Sequence, residues 1–265
     1  MTGVVSDAPT RSVVSKVVAI LRAFDPSMTE MSLTELAHRT GLPVSTAYRL
    51  ARQLVELGVL EPGSGRDYRI GLRLWETGSL AVRGLTLRDV AVPFMQDLYE
   101  ATHENVHLAV LEDEEVLYVE KVTGRHSVPV KSQEARRLPL HATGVGKVLL
   151  ANATDELVRK VVDRGLTRYT QHTIVMPGLL ARTLAEIRRT GISYSYEELT
   201  LGTVSVAAPV RDADGVVVAA LSIVGRSSRT DLVHLGPAVR TAALGISRGN
   251  RDRAVRLAED GQADR

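Results

Sequence analysis

Three groups of residues in this chain combine residue type and spacing in ways that could do chemistry. Ser45, Tyr48, Arg49 and Arg52 lie close together, and arginines so grouped can grip phosphate oxygens or pair bidentately with a guanine edge. His103-Glu-Asn-Val-His107 has the H-E-x-x-H spacing. On one unbroken helix that spacing puts two imidazoles on one face, with a glutamate base beside them, and binds zinc. His141-Ala-Thr-Gly-Val-Gly-Lys147 leads into the apolar Val148-Leu-Leu-Ala151, a glycine-bearing turn opening a helix. A helix start of that kind aims free amides and a positive dipole end at an anion.

The elements that must carry the arginines can be read directly. Ser32 and Glu35 have capping-box spacing, and Leu33, Leu36 and Ala37 recur at helical period. Gly41 stands where a left-handed cap ends that helix, and Pro43 suits the first turn of the next. On the second helix Ala47, Leu50, Leu54 and Leu57 fall on one face, with Ser45, Tyr48, Arg49 and Arg52 opposite. Ser45 and Thr46 occupy its start, where free amides favour phosphate. Val59 to Glu61 and Asp67 to Ile70 alternate as strands around Pro62-Gly-Ser-Gly65, a hairpin carrying Arg66 and Arg69. Val17, Leu21 and Phe24 give a supporting helix upstream. Together these elements predict a winged helix-turn-helix, with the second helix presented to a DNA major groove.

The zinc spacing is the main enzymatic competitor. After Asn105 the run Val106-His-Leu-Ala-Val-Leu111 continues as a strand, so the two histidines fall on different elements and need not face one metal. Glu197 and Glu198 are adjacent and would point to opposite faces of a strand, which disqualifies them as a simple acid and base pair. A phosphate-binding Walker loop ending at Gly146-Lys147 would need glycine at 141 and a hydroxyl at 148, and the chain has His141 and Val148 there.

At 265 residues, 44% hydrophobic and 24% charged, the chain suits two globular domains. It has no cysteine, which removes disulfides and thiolate metal sites and is compatible with a reducing cytoplasm. The start lacks the features of a signal peptide and no later apolar run is long enough to span a membrane, so a cytoplasmic location is expected. Lysines and arginines number 11 against 8 acidic residues through position 88, and 22 against 23 beyond it. Affinity for a polyanion must therefore come from arginine placement and dimerisation more than from bulk charge.

Beyond the wing, Leu72, Trp75 and Leu80 mark a linker helix, packed on a partner subunit or within the same chain, and Val90, Ala91, Phe94 and Leu98 mark an amphipathic helix. Strand patterns follow at 105–111, 115–122, 204–210 and 216–224, the last two joined by the turn sequence Asp212-Ala-Asp-Gly215. The expected class is α+β, with an at least partly antiparallel sheet. The expected division is a flexible arm at 1–11, a DNA-binding domain at 12–70, a linker helix at 71–85, a second domain at 86–249 and, at 250–265, a charged tail that is either a frayed helix or disordered.

Five stretches in order, Gly41-Leu-Pro-Val-Ser-Thr-Ala-Tyr-Arg-Leu50, Tyr68-Arg-Ile-Gly-Leu72, Leu138-Pro-Leu-His-Ala-Thr-Gly-Val-Gly-Lys147, Tyr196-Glu-Glu198 and Ala207-Ala-Pro209, resemble the IclR family of bacterial transcriptional regulators. The resemblance runs from about Ser12 to Arg248. It implies a GAF-like effector domain, dimers or tetramers on paired operator half-sites, and a pocket for small organic acids. Carried over by position, that pocket is lined by Val128, Val130, Gly144, Val145, Ser195, Ser205, Ser222 and Val224. Ser205 stands where many relatives have cysteine, and Ser195 and Val224 replace polar residues that hold small keto acids in one branch. A larger or more apolar ligand, such as an aromatic acid, then suits the pocket.

The expectation is a homo-oligomeric regulator, repressor or activator, with no cofactor, whose partners are operator DNA and a small-molecule effector. By linkage, DNA must alter effector affinity by the same factor as effector alters DNA affinity. Its competitors are a zinc hydrolase centred on His103, Glu104 and His107, and a DNA-binding module whose second domain serves only to oligomerise.

Overall fold

The computed structural model describes residues 12–25, 27–79, 82–124 and 137–263, with backbone alone for 79, 82–86 and 253–263. The chain divides into two compact units, Met1–Val82 and Arg83–Arg265. The expected arm at 1–11, Leu80, and Val128 and Val130 lie outside the described residues.

In the first unit α1 (Val13–Arg22), α2 (Leu33–Thr40) and α3 (Val44–Glu56) surround a core of Ile20, Leu36, Ala47, Leu50, Leu54 and Leu60. The Ser32 hydroxyl accepts from the Glu35 amide at 3.3 Å. The reciprocal half of the capping box is replaced, because the Glu35 carboxylate turns instead to Arg39, at 3.0 Å. Gly41 ends α2 at φ 65°, in the left-handed region where a side chain is strained. Pro43 is the N-cap of α3, one position before the first-turn place expected for it. Leu57 also departs from expectation. It is the C-cap residue and 64% exposed, because the helix ends before the apolar stripe reaches it.

The wing is a three-stranded antiparallel sheet in which β3 (Tyr68–Ile70) lies between β1 (Glu30–Met31) and β2 (Leu60–Pro62). The two-residue β1 carries no period that a sequence reading could detect. α4 (Leu72–Ser79) follows, with Leu72 and Trp75 exposed in the single chain.

The second unit opens with α5 (Val82–Thr102). This helix merges the expected amphipathic segment with the end of the expected linker. Six strands then form one antiparallel sheet: β4 (Asn105–Glu112), β5 (Glu115–Val122), β6 (Arg137–Pro139), β7 (Ser193–Tyr196), β8 (Thr203–Arg211) and β9 (Val217–Arg226), in the order β6-β5-β4-β9-β8-β7. The β8–β9 hairpin turns at Asp212, whose carboxylate accepts from the amides of Asp214 at 3.0 Å and Val216 at 2.9 Å. Between strands lie α6 (Gly144–Ala151), α7 (Asp155–Asp163) and α8 (Pro177–Thr190), and the chain closes on α9 (Leu232–Ala263), helical through most of the segment expected as a tail.

The strand period sorts side chains between two cores. Val204, Val206, Ala208 and Val210 alternate onto one face with Leu221, Ile223, Val106 and Leu108, and pack with Met95 of α5 and Val239 of α9. Ala207, Ala220 and Ala109 turn to the other face, with Val145 and Val148 of α6 and Leu180 and Leu184 of α8. Small residues on this second face let α6 lie close to the sheet. Gly144 shows how close: a Cβ added there would stand 2.6 Å from the Ser205 hydroxyl.

Candidate functional site

Two sites can be built, one in each unit. On α3 the apolar stripe Ala47, Leu50, Ala51 and Leu54 is buried, which turns Ser45, Tyr48, Arg49 and Arg52 outward, Tyr48 half-exposed. Arg49 makes no ion pair among the described residues, whereas Arg52 reaches Glu56 one turn on, at 3.1 Å. Thr46 is only partly exposed and its amide donates to the Pro43 carbonyl at 2.9 Å, so its N–H is engaged locally.

In the wing, Arg66 sits exposed in the turn. Arg69, in the central strand, faces Glu61 at 3.3 Å and Glu30 at 3.8 Å on its two neighbours. Its charge is shared with two carboxylates. Arg49 and Arg66 are therefore the least compensated cations of this group.

The H-E-x-x-H stretch is broken. His103 follows the end of α5 at φ 53°, Glu104 is buried with its carboxylate on Thr230 at 3.0 Å and Arg229 at 3.4 Å, and His107 lies inside β4. A helical two-histidine zinc site needs one continuous helix, so the hydrolase alternative loses its geometry.

The second site is a cavity between α6 and the small-residue face of the sheet. Of the eight pocket residues expected from resemblance, Gly144, Val145, Ser195, Ser205, Ser222 and Val224 line it together. They come from four separate elements. Ser195 pairs directly with Ser205, and Ser205 with Val224, so three strands deliver one row of the wall.

Thr143 caps α6 by accepting the Gly146 amide on its hydroxyl at 3.0 Å, while its carbonyl takes the Lys147 amide at 2.9 Å. This leaves the amides of Gly144 and Val145 without an acceptor among the described residues, at the positive end of the helix and against the cavity.

Several lining residues lie outside the set expected from resemblance: His107, Tyr118, Glu198, Leu199, Thr200 and Thr203. Glu198 is 6% exposed and forms a buried ion pair with Lys147, whose ammonium also donates to the Tyr194 carbonyl at 3.0 Å. Burial lowers the Lys147 ammonium below its usual range, and the facing carboxylate opposes that shift.

His107 is 1% exposed, with the Tyr118 ring edge-on at 5.3 Å. Burial above all, and then the Lys121 charge, pushes its imidazole down from 6.5 to about 3. The unfolded chain thus takes up this proton first. The stability contributed is complete above about pH 6.5 and is lost as pH falls from there toward 3, at up to about 1.4 kcal/mol per pH unit. Tyr118 and Lys121 on β5 face the ring, and Glu198 lines the same cavity. In a melting series between about pH 7 and pH 4, His107→Asn is expected to lose stability less steeply than the unaltered chain. Parallel curves would mean that the folded imidazole takes up protons freely.

Two family models match the chain: the IclR helix-turn-helix domain over residues 13–63 and the bacterial transcriptional regulator IclR C-terminal domain over residues 79–248. The chain is 32% identical to the HTH-type transcriptional regulator XynR of Escherichia coli, across 89% of this chain and 95% of that one. It is 36% identical to the transcriptional repressor IclR of Escherichia coli, covering 75% and 74%. Among solved structures, an IclR homolog from Microbacterium hydrocarbonoxydans complexed with 4-hydroxybenzoate superposes with a TM-score of 0.85 at 34% identity, covering 90% of this chain and 98% of that one. The IclR of Thermotoga maritima gives 0.71 at 29%, covering 89% and 97%.

Proposed function

Since this chain belongs to the IclR family of bacterial transcriptional regulators, we propose that it controls metabolic genes, as repressor or activator, in response to a small organic acid, with an aromatic acid favoured. The observation that carries this reading is the convergence of Gly144, Val145, Ser195, Ser205, Ser222 and Val224 on one cavity beneath the start of α6. The two unengaged amides there suit a carboxylate. The apolar wall of Tyr118, Leu138, Val145 and Leu199 suits a ring, with Ser205 beside the amides and Ser222 suited to a polar substituent. The relative bound to 4-hydroxybenzoate supports the aromatic class.

Output runs through the first unit. Ser45, Tyr48, Arg49 and Arg52 on α3 enter the major groove, with Thr46 at the helix start and Arg66 and Arg69 in the wing against the backbone. Paired half-sites require a dimer or tetramer. The exposed apolar residues Val13, Val14 and Val18 of α1 and Leu72 and Trp75 of α4 supply surface for that association. Among the described residues no helix is long and apolar enough to cross a membrane, which supports a cytoplasmic regulator.

A thermal-shift panel of aliphatic keto acids, benzoate and hydroxylated benzoates, run on the full chain, tests the pocket. A ligand present at a hundredfold excess over its Kd stabilises by about 2.7 kcal/mol. At least one aromatic acid is expected to raise the melting temperature, and Ser205→Val and Ser222→Ala are expected to weaken that rise. A ligand that stabilises all three proteins equally binds elsewhere.

A further inference from the structure

Two polar groups of the cavity are set apart by the strand order. At one end the Gly144 and Val145 amides line the cavity by β8, with room for no side chain between Gly144 and the Ser205 hydroxyl. At the other stands His107 on β4. Strand pairing sets their separation: His107 faces Ser222 on β9, and Ser222 faces Ala207 on β8, two residues beyond Ser205. Two strand spacings, about 10 Å at the sheet, divide the ends. With side chains reaching in from both, the gap matches a ring carrying substituents at opposite positions. A short keto acid held at the amides would leave His107 untouched.

His107 is also the buried group the rest of the fold does not explain. It is almost fully buried, lines the cavity, and neither ring nitrogen has a hydrogen-bond partner among the described residues. A neutral imidazole carries one donor and one acceptor, and a buried polar group normally has its capacity filled. The edge of Tyr118, at an interplanar angle of 81°, holds the ring plane. Ser222, directly opposite, adds a hydroxyl beside it.

Resting on the reading of the cavity as an aromatic-acid pocket, we propose that His107 is its specificity-determining residue. His107 hydrogen-bonds a hydroxyl on the ligand at the end remote from the carboxylate, so the pocket selects hydroxylated aromatic acids over the bare ring acid. The other buried candidate, Glu198, whose Oε2 has no partner among the described residues, belongs to the amide end, since its carboxylate is paired with Lys147 one turn into α6.

Calorimetric titration of the full chain with benzoate and with 4-hydroxybenzoate tests this, repeated in His107→Phe, His107→Asn and Glu198→Gln. The hydroxyl is expected to raise affinity about tenfold or more in the unaltered protein, the size of one well-made buried hydrogen bond. His107→Phe should reduce that gain to within about twofold while still binding benzoate, and His107→Asn, which keeps a donor and an acceptor, should retain part of it. Circular dichroism on each variant checks that it is folded before its titration is read, above all Glu198→Gln, which leaves Lys147 without its carboxylate partner. A gain that survives in His107→Phe, or one that disappears only in Glu198→Gln, overturns the assignment. Benzoate and 4-hydroxybenzoate both failing to bind the unaltered protein would instead remove the aromatic-acid reading, and this inference with it.

Discussion

Replacing Lys147 with methionine is expected to destabilise the second unit by about 3–5 kcal/mol, the range observed when one partner of a buried ion pair is removed. The side chain is 1% exposed at the first turns of α6, and its ammonium bridges the Glu198 carboxylate and the Tyr194 carbonyl. Methionine fills much of the volume but leaves Glu198 as an isolated buried charge whose Oε2 already lacks a partner among the described residues. Against a typical domain stability of about 5–15 kcal/mol, that loss is large.

The double variant Lys147→Met with Glu198→Leu separates charge from packing. It removes both ions, and replacing such a pair by apolar side chains of similar size is often neutral or stabilising. Urea unfolding followed by circular dichroism should therefore show a large drop in midpoint for Lys147→Met and recovery of most of it in the double variant. A single variant within about 1 kcal/mol of the unaltered chain would mean that solvent reaches the pair. The pair ties α6 to the segment after β7, and α6 carries the amides that face the cavity. A double variant that is stable yet binds ligand weakly would indicate that the ion pair is kept to position those amides.

How much of the fold is legible in the sequence depends on range. The α2–α3 unit is announced by Ser32, Gly41 and the apolar stripe of α3 because caps and helix period are local properties. The strands around Asp212 to Gly215 are equally plain. The helix ends are less so: Glu35 has a better partner in Arg39 than in the Ser32 amide, and α3 stops before Leu57 can join its buried face. α7 and α8 also carry local signals, Thr154 with Asp155 and Glu156 at one start and Pro177 with a left-handed Gly191 bounding the other.

The cavity divides in the same way. Its glycine loop and serines can be placed only through resemblance, since nothing in their spacing brings Ser195, Ser205 and Ser222 together. His107 and Tyr118 join the wall through the strand order β5-β4-β9-β8-β7, a product of long connections that no local pattern reveals. In the sequence His107 stands out only as half of a zinc motif. The strand pattern that argues against that role is the same pattern that turns its ring into the cavity.

Removing Arg49 and Arg52 together should abolish specific DNA binding while leaving the fold intact. The expected loss is about 100-fold or more, because each bidentate base contact carries about 1–3 kcal/mol and a dimer forfeits both arginines twice. The two residues are not equivalent. Arg49 is exposed and unpaired among the described residues, whereas Arg52 already shares its charge with Glu56. Removing Arg49 should forfeit its proposed DNA interaction alone. Removing Arg52 should also uncover the Glu56 carboxylate on the helix proposed to meet DNA, adding repulsion. Mobility-shift titrations on DNA from upstream of the chain's own gene, repeated across salt concentrations, resolve these effects. The slope of log affinity against log salt should become shallower by about one for each phosphate no longer neutralised, while a residue reading a base lowers specific affinity more than nonspecific affinity. Arg66→Ala in the wing should follow the first pattern, with a uniform weakening across DNA sequences. Arg69→Ala should weaken binding less, since Glu30 and Glu61 already occupy its guanidinium. Unchanged binding by a folded Arg49→Ala, Arg52→Ala protein would show that α3 is not the helix that enters the groove.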